Sequence, residues 1–432
     1  MSLQLVRQLS GGFNLRASAR IVVEFALQLR LNCRNASDFA PQRQPARTLR
    51  LQFWSTYLPF WPIRPVWYKA DIPCVRFGWI IKQKTRKSGV CAKIPLGETK
   101  RMRATPFLLS FVISSCLVAS SVAANTKLLR LSHNLPTANP AHVSLEFLAD
   151  RVKELTDGDL RIRVFPEGEL GTQKETVLLM QEGLLDMARS NAAEMEAFEP
   201  AYAVMNLPYV FESEQHYYDV LTSDIADGIL EASRGKGFIG LAFMVDGSRS
   251  FYANTPINSP KDLEGMRIRV QPAPSSIQMV ELLGGTPTPI SFGELYSALQ
   301  TGLVDGAENN PRALIEVRHG EVAKVYSQDE HTMIPGVLMI STRVWDTLPE
   351  DQQEALRQAA REMMDYHRDL YNAQTEKVIE EARTELGVEF VSVNKEAFIE
   401  AVQPMYEELA GRSEQMADLL QRINAKASQA SQ

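Results

Sequence analysis

Arginines at the ends of strands are the first residues in this 432-residue chain that could do chemistry. Arg269 sits near the end of the alternating run Met266-Arg267-Ile268-Arg269-Val270, in which Ile268 and Val270 belong on the core face. Ligands of open parallel sheets lie beyond the carboxyl ends of the strands. A guanidinium placed there can hold both oxygens of a carboxylate through two parallel hydrogen bonds. Arg249, in Asp246-Gly247-Ser248-Arg249-Ser250, stands where a second contact would be made. Asn309, in Asp305-Gly306-Ala307-Glu308-Asn309-Asn310-Pro311, follows another strand, and its amide both donates and accepts, as a hydroxylated acid requires. The plainer alternative is that Arg267 and Arg269 are strand-surface charges paired with neighbouring acids.

Motifs for covalent or metal chemistry are missing from the sequence. It contains no Gly-x-Ser-x-Gly, His-Glu-x-x-His, Gly-x-Gly-x-x-Gly or Walker loop. The six histidines (His133, His142, His216, His319, His331, His367) have no metal-ligand spacing and read as surface or hydrogen-bonded core residues. Glu167 and Glu169 lie in a Gly/Pro turn and read as solvated. The expectation is a protein that is not an enzyme and uses no cofactor or metal.

The elements that must position the arginines alternate between strand and helix from residue 128 onward. Leu128–Ser132 and Leu160–Phe165 read as strands, the latter with Ile162 and Val164 on one face and Arg161 and Arg163 on the other. Asn139-Pro140 opens a helix whose apolar positions are Val143, Phe147, Leu148, Val152 and Leu155. Thr172 with Glu175, and Ser291 with Glu294, read as capping boxes. Thr172–Asn191 set on Ser291–Asn310 without gaps matches Glu175, Gln181, Gly183, Leu184, Asp186, Ala188 and Asn191 with identical residues, which suggests two similar lobes. The shared Arg-Ile-Arg-Val of 161–164 and 267–270 has another offset and reads as coincidence. Strand–helix alternation of this kind predicts an α/β fold with parallel strands. From Glu350 to Glu385 the chain lacks Pro and Gly and keeps helical apolar spacing, with Thr347 as a cap candidate. A helix of about 35 residues would reach about 50 Å and brace both lobes.

The first 101 residues are different in kind. They hold 18 Lys and Arg against four acids, and four of the five tryptophans, with no sustained periodicity. A basic, aromatic stretch can bind nucleic acid; here it reads instead as a disordered, non-native upstream extension. Met102-Arg103, the apolar run Phe107–Val118 and Val122-Ala123-Ala124 have the parts of a secretion signal, with Met102 as the true start and cleavage near Ala124. All four cysteines (Cys33, Cys74, Cys91, Cys116) precede that point, so the exported part must be held by its core alone.

Residues 125–432 resemble the DctP-type solute receptors of TRAP transporters (tripartite, ATP-independent periplasmic transporters). The resemblance rests on Phe165-Pro166-x-Gly168-x-Leu170-Gly171, Leu207-Pro208-Tyr209-Val210-Phe211 and Asp262-Leu263-x-Gly265-Met266-x-Ile268-Arg269-Val270. It continues through Pro287-Thr288-Pro289, Ser291-Phe292-Gly293-Glu294-Leu295-Tyr296-x-Ala298-Leu299-Gln300 and Asp305-Gly306-Ala307-Glu308-Asn309, all in family order. It implies a two-lobed periplasmic-binding-protein-like fold (type II-like): lobe I at 125–250 plus part of 336–432, lobe II at 251–335, and a long bracing helix at 348–385. It also implies closure over an organic acid and delivery to membrane permease subunits by a periplasmic monomer that binds no nucleic acid. Arg269 matches the family arginine that holds the carboxylate, and Arg249 a second arginine. Asn309 and Phe292 match pocket residues, while Asn191 and Asn134 fall where other members place polar contacts. Glu308-Asn309-Asn310-Pro311, Arg318-His319 and Glu330-His331-Thr332 resemble a branch with receptors for sugar acids such as uronates, in which His331 and Asn310 would read hydroxyls. A C4-dicarboxylate is the other ligand class implied. A chemosensory receptor and a sugar-acid lyase on a similar scaffold are the alternatives.

Overall fold

The structure, a computed structural model, describes residues 126–430. The basic stretch 1–101 and the signal segment 102–124 lie outside the described residues, all of which belong to the unit Ala104–Gln432. Strands are, in chain order, β1 (Lys127–Ser132), β2 (Leu160–Phe165), β3 (Met187–Asn191), β4 (Phe238–Met244), β5 (Arg249–Ala253) and β6 (Arg267–Val270). They continue with β7 (Thr286–Pro289), β8 (Gly306–Asn309), β9 (Val325–Thr332), β10 (Gly336–Ser341) and β11 (Glu389–Ser392).

Two sheets form, ordered β2-β1-β3-β10-β4 and β11-β9-β5-β8-β6-β7. In the first, β2, β1 and β3 are parallel and β10 runs antiparallel between β3 and β4. In the second, β7, β6 and β8 are parallel and β5 runs antiparallel between β8 and β9. The same plan is thus built twice. Because β5 follows β4 directly and β10 follows β9, the chain crosses between the sheets at 245–248 and 333–335, and each lobe is completed by a strand entering from the other. The result is a two-lobed, mixed α/β binding fold.

The internal repeat has a physical basis in two aspartates. Asp186 accepts from Arg130 N and Arg130 Nε, both at 2.9 Å. Asp305 accepts from Arg267 N and Arg267 Nε, also both at 2.9 Å. Each carboxylate therefore stitches the entry of one strand to its parallel neighbour, within β1 at Arg130 and at the start of β6 at Arg267. The counterpart of Arg267 is Arg130 on β1, so the Arg-Ile-Arg-Val of β2 is indeed unrelated. Gly183 and Gly302, three residues before these aspartates, end their helices at φ of 72° and 69°, a conformation that suits glycine.

Local signals hold in part. Thr172 forms its capping box with Glu175, opening the helix Gln173–Gln181. Ser291 does not: its hydroxyl bonds directly to the Glu294 carboxylate, and Phe292–Glu294 forms a 3-10 turn ahead of the helix Leu295–Gln300. The helix Pro140–Leu155 is capped by Asn139, whose side chain accepts from Ala141 N. Its buried stripe is Ala141, Ser144, Leu145, Leu148, Ala149 and Val152, whereas Val143 is exposed.

The long helix spans Glu350–Leu386 and has no side-chain cap, since the Thr347 hydroxyl donates to Val344 O instead. At about 1.5 Å per residue its 37 residues reach roughly 55 Å. Leu356, Ala359, Ala360 and Met363 pack into the core of the first lobe, and Ala382 joins that of the second. Between them, His367 Nε2 bonds Val245 O at 2.8 Å and the Tyr371 hydroxyl donates to Asp246 O at 2.7 Å, so the helix grips the crossing strand.

Gly240 on β4 lets the helix Asp224–Ala232 approach closely. A Cβ at Gly240 would lie 2.2 Å from Leu230 Cδ2 and 3.0 Å from Leu230 Cα, and backbone cannot yield as a side-chain tip can. Gly240→Ala is therefore expected to destabilise the fold by about 1–3 kcal/mol, the usual cost of overpacking. Urea unfolding checks this; an unchanged midpoint would mean that helix and sheet separate freely.

Candidate ligand-binding site

The carboxyl ends of the parallel strands from both lobes face one cleft. Its lining combines Asn134, Gln173, Arg189 and Asn191 from the first lobe with Arg249, Gln271, Phe292, Asn309 and Arg312 from the second, joined by Asp246 from the crossing strand. The enclosed space is about 50 Å³, against about 300–1,000 Å³ for a typical small-molecule site. The lobes touch across its mouth, where Asn139 Nδ2 donates to Glu316 Oε2 at 2.6 Å. A sugar-sized ligand enters only if the lobes part.

Three guanidiniums line this space and each is neutralised, while a fourth, Arg269, lies behind the lining. Arg189 pairs with Asp246, Arg249 with Glu308 at 2.7 Å and Arg312 with Glu316 at 3.3 Å. Arg269 has no carboxylate within 4.0 Å among the described residues. It is 1% exposed, its Nε donates to Ile290 O at 2.8 Å, and its Nη1 has no partner. Burial pulls this group below its usual range, against the opposing pull of Glu308. An arginine keeps its charge even so. The plainer alternative thus applies to Arg267, whose exposed side chain pairs with Asp305, and not to Arg269.

Arg249 is fully engaged. Its Nε holds Glu308 Oε2, its Nη2 donates to Glu308 O at 3.0 Å, and its Nη1 donates to Asn309 Oδ1 at 2.7 Å. Asn310 N also donates to Asn309 Oδ1, at 2.9 Å, which leaves the Asn309 NH₂ group to face the cavity. Arg249 acts on the site chiefly by fixing Asn309. Phe292 meets the His319 ring edge-on at 5.8 Å, and His319, its pKa pushed down to about 3 by burial and then by Arg269, stays neutral.

Asn191 lines the cavity while its Oδ1 caps the turn Ala192–Met195 through Glu194 N. Asn134 donates weakly to Gln173 Oε1 at 3.4 Å, and its own Oδ1 is buried without a donor. His331, like Arg269, stands behind the lining. It is 0% exposed, absent from the lining, and sealed between Asp329 (2.7 Å) and Glu308 (3.5 Å) behind Arg249. Burial opposes its charge, but Asp329 and Glu308 prevail and raise its pKa to about 9. His331 is backing for the site and touches no part of the cavity. Asn310, read from sequence as a hydroxyl reader, lines the cavity but spends its Nδ2 on Asp246 O at 2.8 Å.

Sequence reasoning missed Arg189, Asp246, Gln271 and Arg312. A signal existed for one of them, since Gln271 follows Arg269 by two residues; the burial of Arg189 in β3 shows only in the structure. Buried polar atoms without partners gather here: Asn134 Oδ1, Arg189 Nε, Gln271 Oε1 and Arg312 Nε on the lining, with Arg269 Nη1 behind it. Such atoms are costly unless something else satisfies them.

A larger cavity, about 540 Å³, lies between the long helix and the crossing strands. It carries Glu214, Glu376 and Glu330, the last paired with Lys395, against Arg368, and this acidic balance disfavours a carboxylate. The smaller cleft is therefore the better anion site despite its size.

This architecture and cleft define a two-lobed solute-binding protein. Residues 131–412 match the family described as bacterial extracellular solute-binding protein, family 7 (DctP), and the chain belongs to that family. The uncharacterized protein YiiZ of Salmonella typhimurium is 37% identical over 298 residues, covering 68% of this chain and 90% of its own. A TRAP periplasmic solute-binding protein of Xanthobacter autotrophicus Py2, solved with bound β-D-galacturonate, is 37% identical with a TM-score of 0.67, covering 69% of this chain and 99% of its own. Another from Anaerococcus prevotii, solved with bound D-glucuronate, is 34% identical with a TM-score of 0.69, covering 70% and 99%. None of these matches supports the chemosensory or lyase alternative.

Proposed function

We propose that the protein is the periplasmic receptor of a TRAP transporter and that it captures a hexuronate, delivering it to membrane permease subunits. The observation that carries this reading is Arg269, a buried guanidinium without a carboxylate directly behind a cleft whose lining guanidiniums all have one. The uronates bound by the two solved relatives support the ligand class. Their solute-binding role favours capture and release over catalysis. Export through the 102–124 segment, cleaved near Ala124, accords with this role, as does a monomeric state.

Capture proceeds by closure. With the lobes apart, the carboxylate docks on Arg269 Nη1, and Asn309, Asn191 and Asn134 meet the hydroxyls. The first lobe then swings in and water leaves, which strengthens the charge-assisted bonds in a drier site. Closure is selected only if the ligand binds the closed form more tightly than the open one.

A thermal-shift screen of the purified protein with uronates, aldonates, C4-dicarboxylates and sialic acid tests the reading. A hexuronate at about 100 times its Kd should add about 2.7 kcal/mol, which moves the melting point by several degrees. A shift with C4-dicarboxylates alone would overturn the uronate assignment.

A further inference from the structure

The second inference rests on the hexuronate reading and concerns which acids the cleft refuses. Arg269 belongs to β6 of the second lobe, and Arg189 to β3 of the first, so the two guanidiniums approach the cleft from opposite sides. Arg189 is 3% exposed, and Gly336 fixes its position from behind: a Cβ there would lie 2.5 Å from Arg189 Nη2. Its Nη2 donates to Asp246, whose side chain is only 17% exposed. His133, also beside Arg189, has its pKa pushed down to about 3 by burial and then by Arg189, and adds no charge. The Arg189 end of the cleft is therefore polar but neutral.

We propose that Asp246 masks Arg189 and thereby restricts the protein to acids with one carboxylate and a hydroxylated tail, excluding dicarboxylates of the same length. The unpartnered atoms at this end are Arg189 Nε, a donor, and Asn134 Oδ1, an acceptor. Sugar hydroxyls satisfy both kinds, because each donates and accepts. A second carboxylate cannot donate to Asn134 Oδ1 and comes to rest beside the Asp246 carboxylate. Rejection by an unpaired or like charge is a strong form of specificity.

Calorimetric titration with D-galacturonate and galactarate, which differ in the oxidation of one terminal carbon, tests the proposal. Wild type is expected to prefer galacturonate by about 100-fold or more, in keeping with the several kcal/mol that like-charge contacts cost. Asp246→Asn unmasks Arg189 and should bring the preference below about tenfold, while Asp246→Glu should restore it. Wild type binding both acids equally would overturn the proposal without any variant. So would an Asp246→Asn protein that binds galacturonate and keeps the full preference. Wild type that binds no hexuronate overturns the parent reading and this one together, an outcome distinct from lost selectivity.

Discussion

Arg269→Met is expected to weaken hexuronate binding by about 1,000-fold while leaving the melting point unchanged or slightly raised, since charge-assisted hydrogen bonds contribute about 1.5–3 kcal/mol each. The two effects separate because Arg269 serves the ligand and contributes little to the fold. Among the described residues its hydrogen bond is to Ile290 O, and the pull of Glu308 only partly offsets its burial. Replacing a buried ion by an apolar group of similar volume is often neutral or stabilising, and binding sites commonly hold such uncompensated groups at a cost to stability. Paired calorimetry and thermal melts check this. A drop of many degrees would mean that Arg269 braces the lobe.

Glu308 carries the second large effect, with the opposite pattern. It is 1% exposed, and its carboxylate faces both Arg249 and His331. Burial alone would raise its pKa; Arg249 and His331 bring it down to about 2. Glu308→Leu strands the buried Arg249, removes one of the two carboxylates of His331, and is expected to cost about 3–5 kcal/mol of stability. It also frees the Arg249 side chain that fixes Asn309, so affinity falls as well.

The same cluster sets a pH dependence. His331 has a folded pKa of about 9 against 6.5, so its contribution is full below pH 6.5 and is lost as pH rises through about 9. Glu308, at about 2 against 4.5, contributes fully above pH 4.5 and loses this as pH falls toward 2. Urea midpoints measured from pH 7.5 to 9.5, above the range in which the buried neutral histidines His133 and His319 act, should decline for wild type and decline less for Glu308→Leu, where His331 has lost one of its two carboxylates. Equal slopes would remove His331 from the account.

How much of this was legible beforehand depended on the range of the interaction. Features set by near neighbours could be read: Thr172 with Glu175, Asn139-Pro140 as a helix start, and the uninterrupted run that becomes the 37-residue helix. The lobe repeat was visible because Gly183/Asp186 and Gly302/Asp305 solve the same local problem, a helix stop followed by a strand start. Arg269 was legible from strand alternation and from its resemblance to the family position. Its unpaired state was not, because the partners of Arg189, Arg249 and Arg312 depend on which strands meet. Arg249 and Glu308 are 59 residues apart, and Arg189 and Asp246 are 57 apart. Ser291 had the composition and the extended backbone of a cap, but its hydroxyl goes to the Glu294 carboxylate and a 3-10 turn follows; His331 had a ligand's chemistry in a sealed position.

The most direct test of the central claim is calorimetric titration of the protein with D-galacturonate and with D-galactose, which lacks the carboxylate. Capture through Arg269 predicts clear binding of the acid and none of the neutral sugar at a thousandfold higher concentration, about the contribution of a charge-assisted pair. Comparable binding of both would contradict it and leave Arg269 without a ligand to explain its burial.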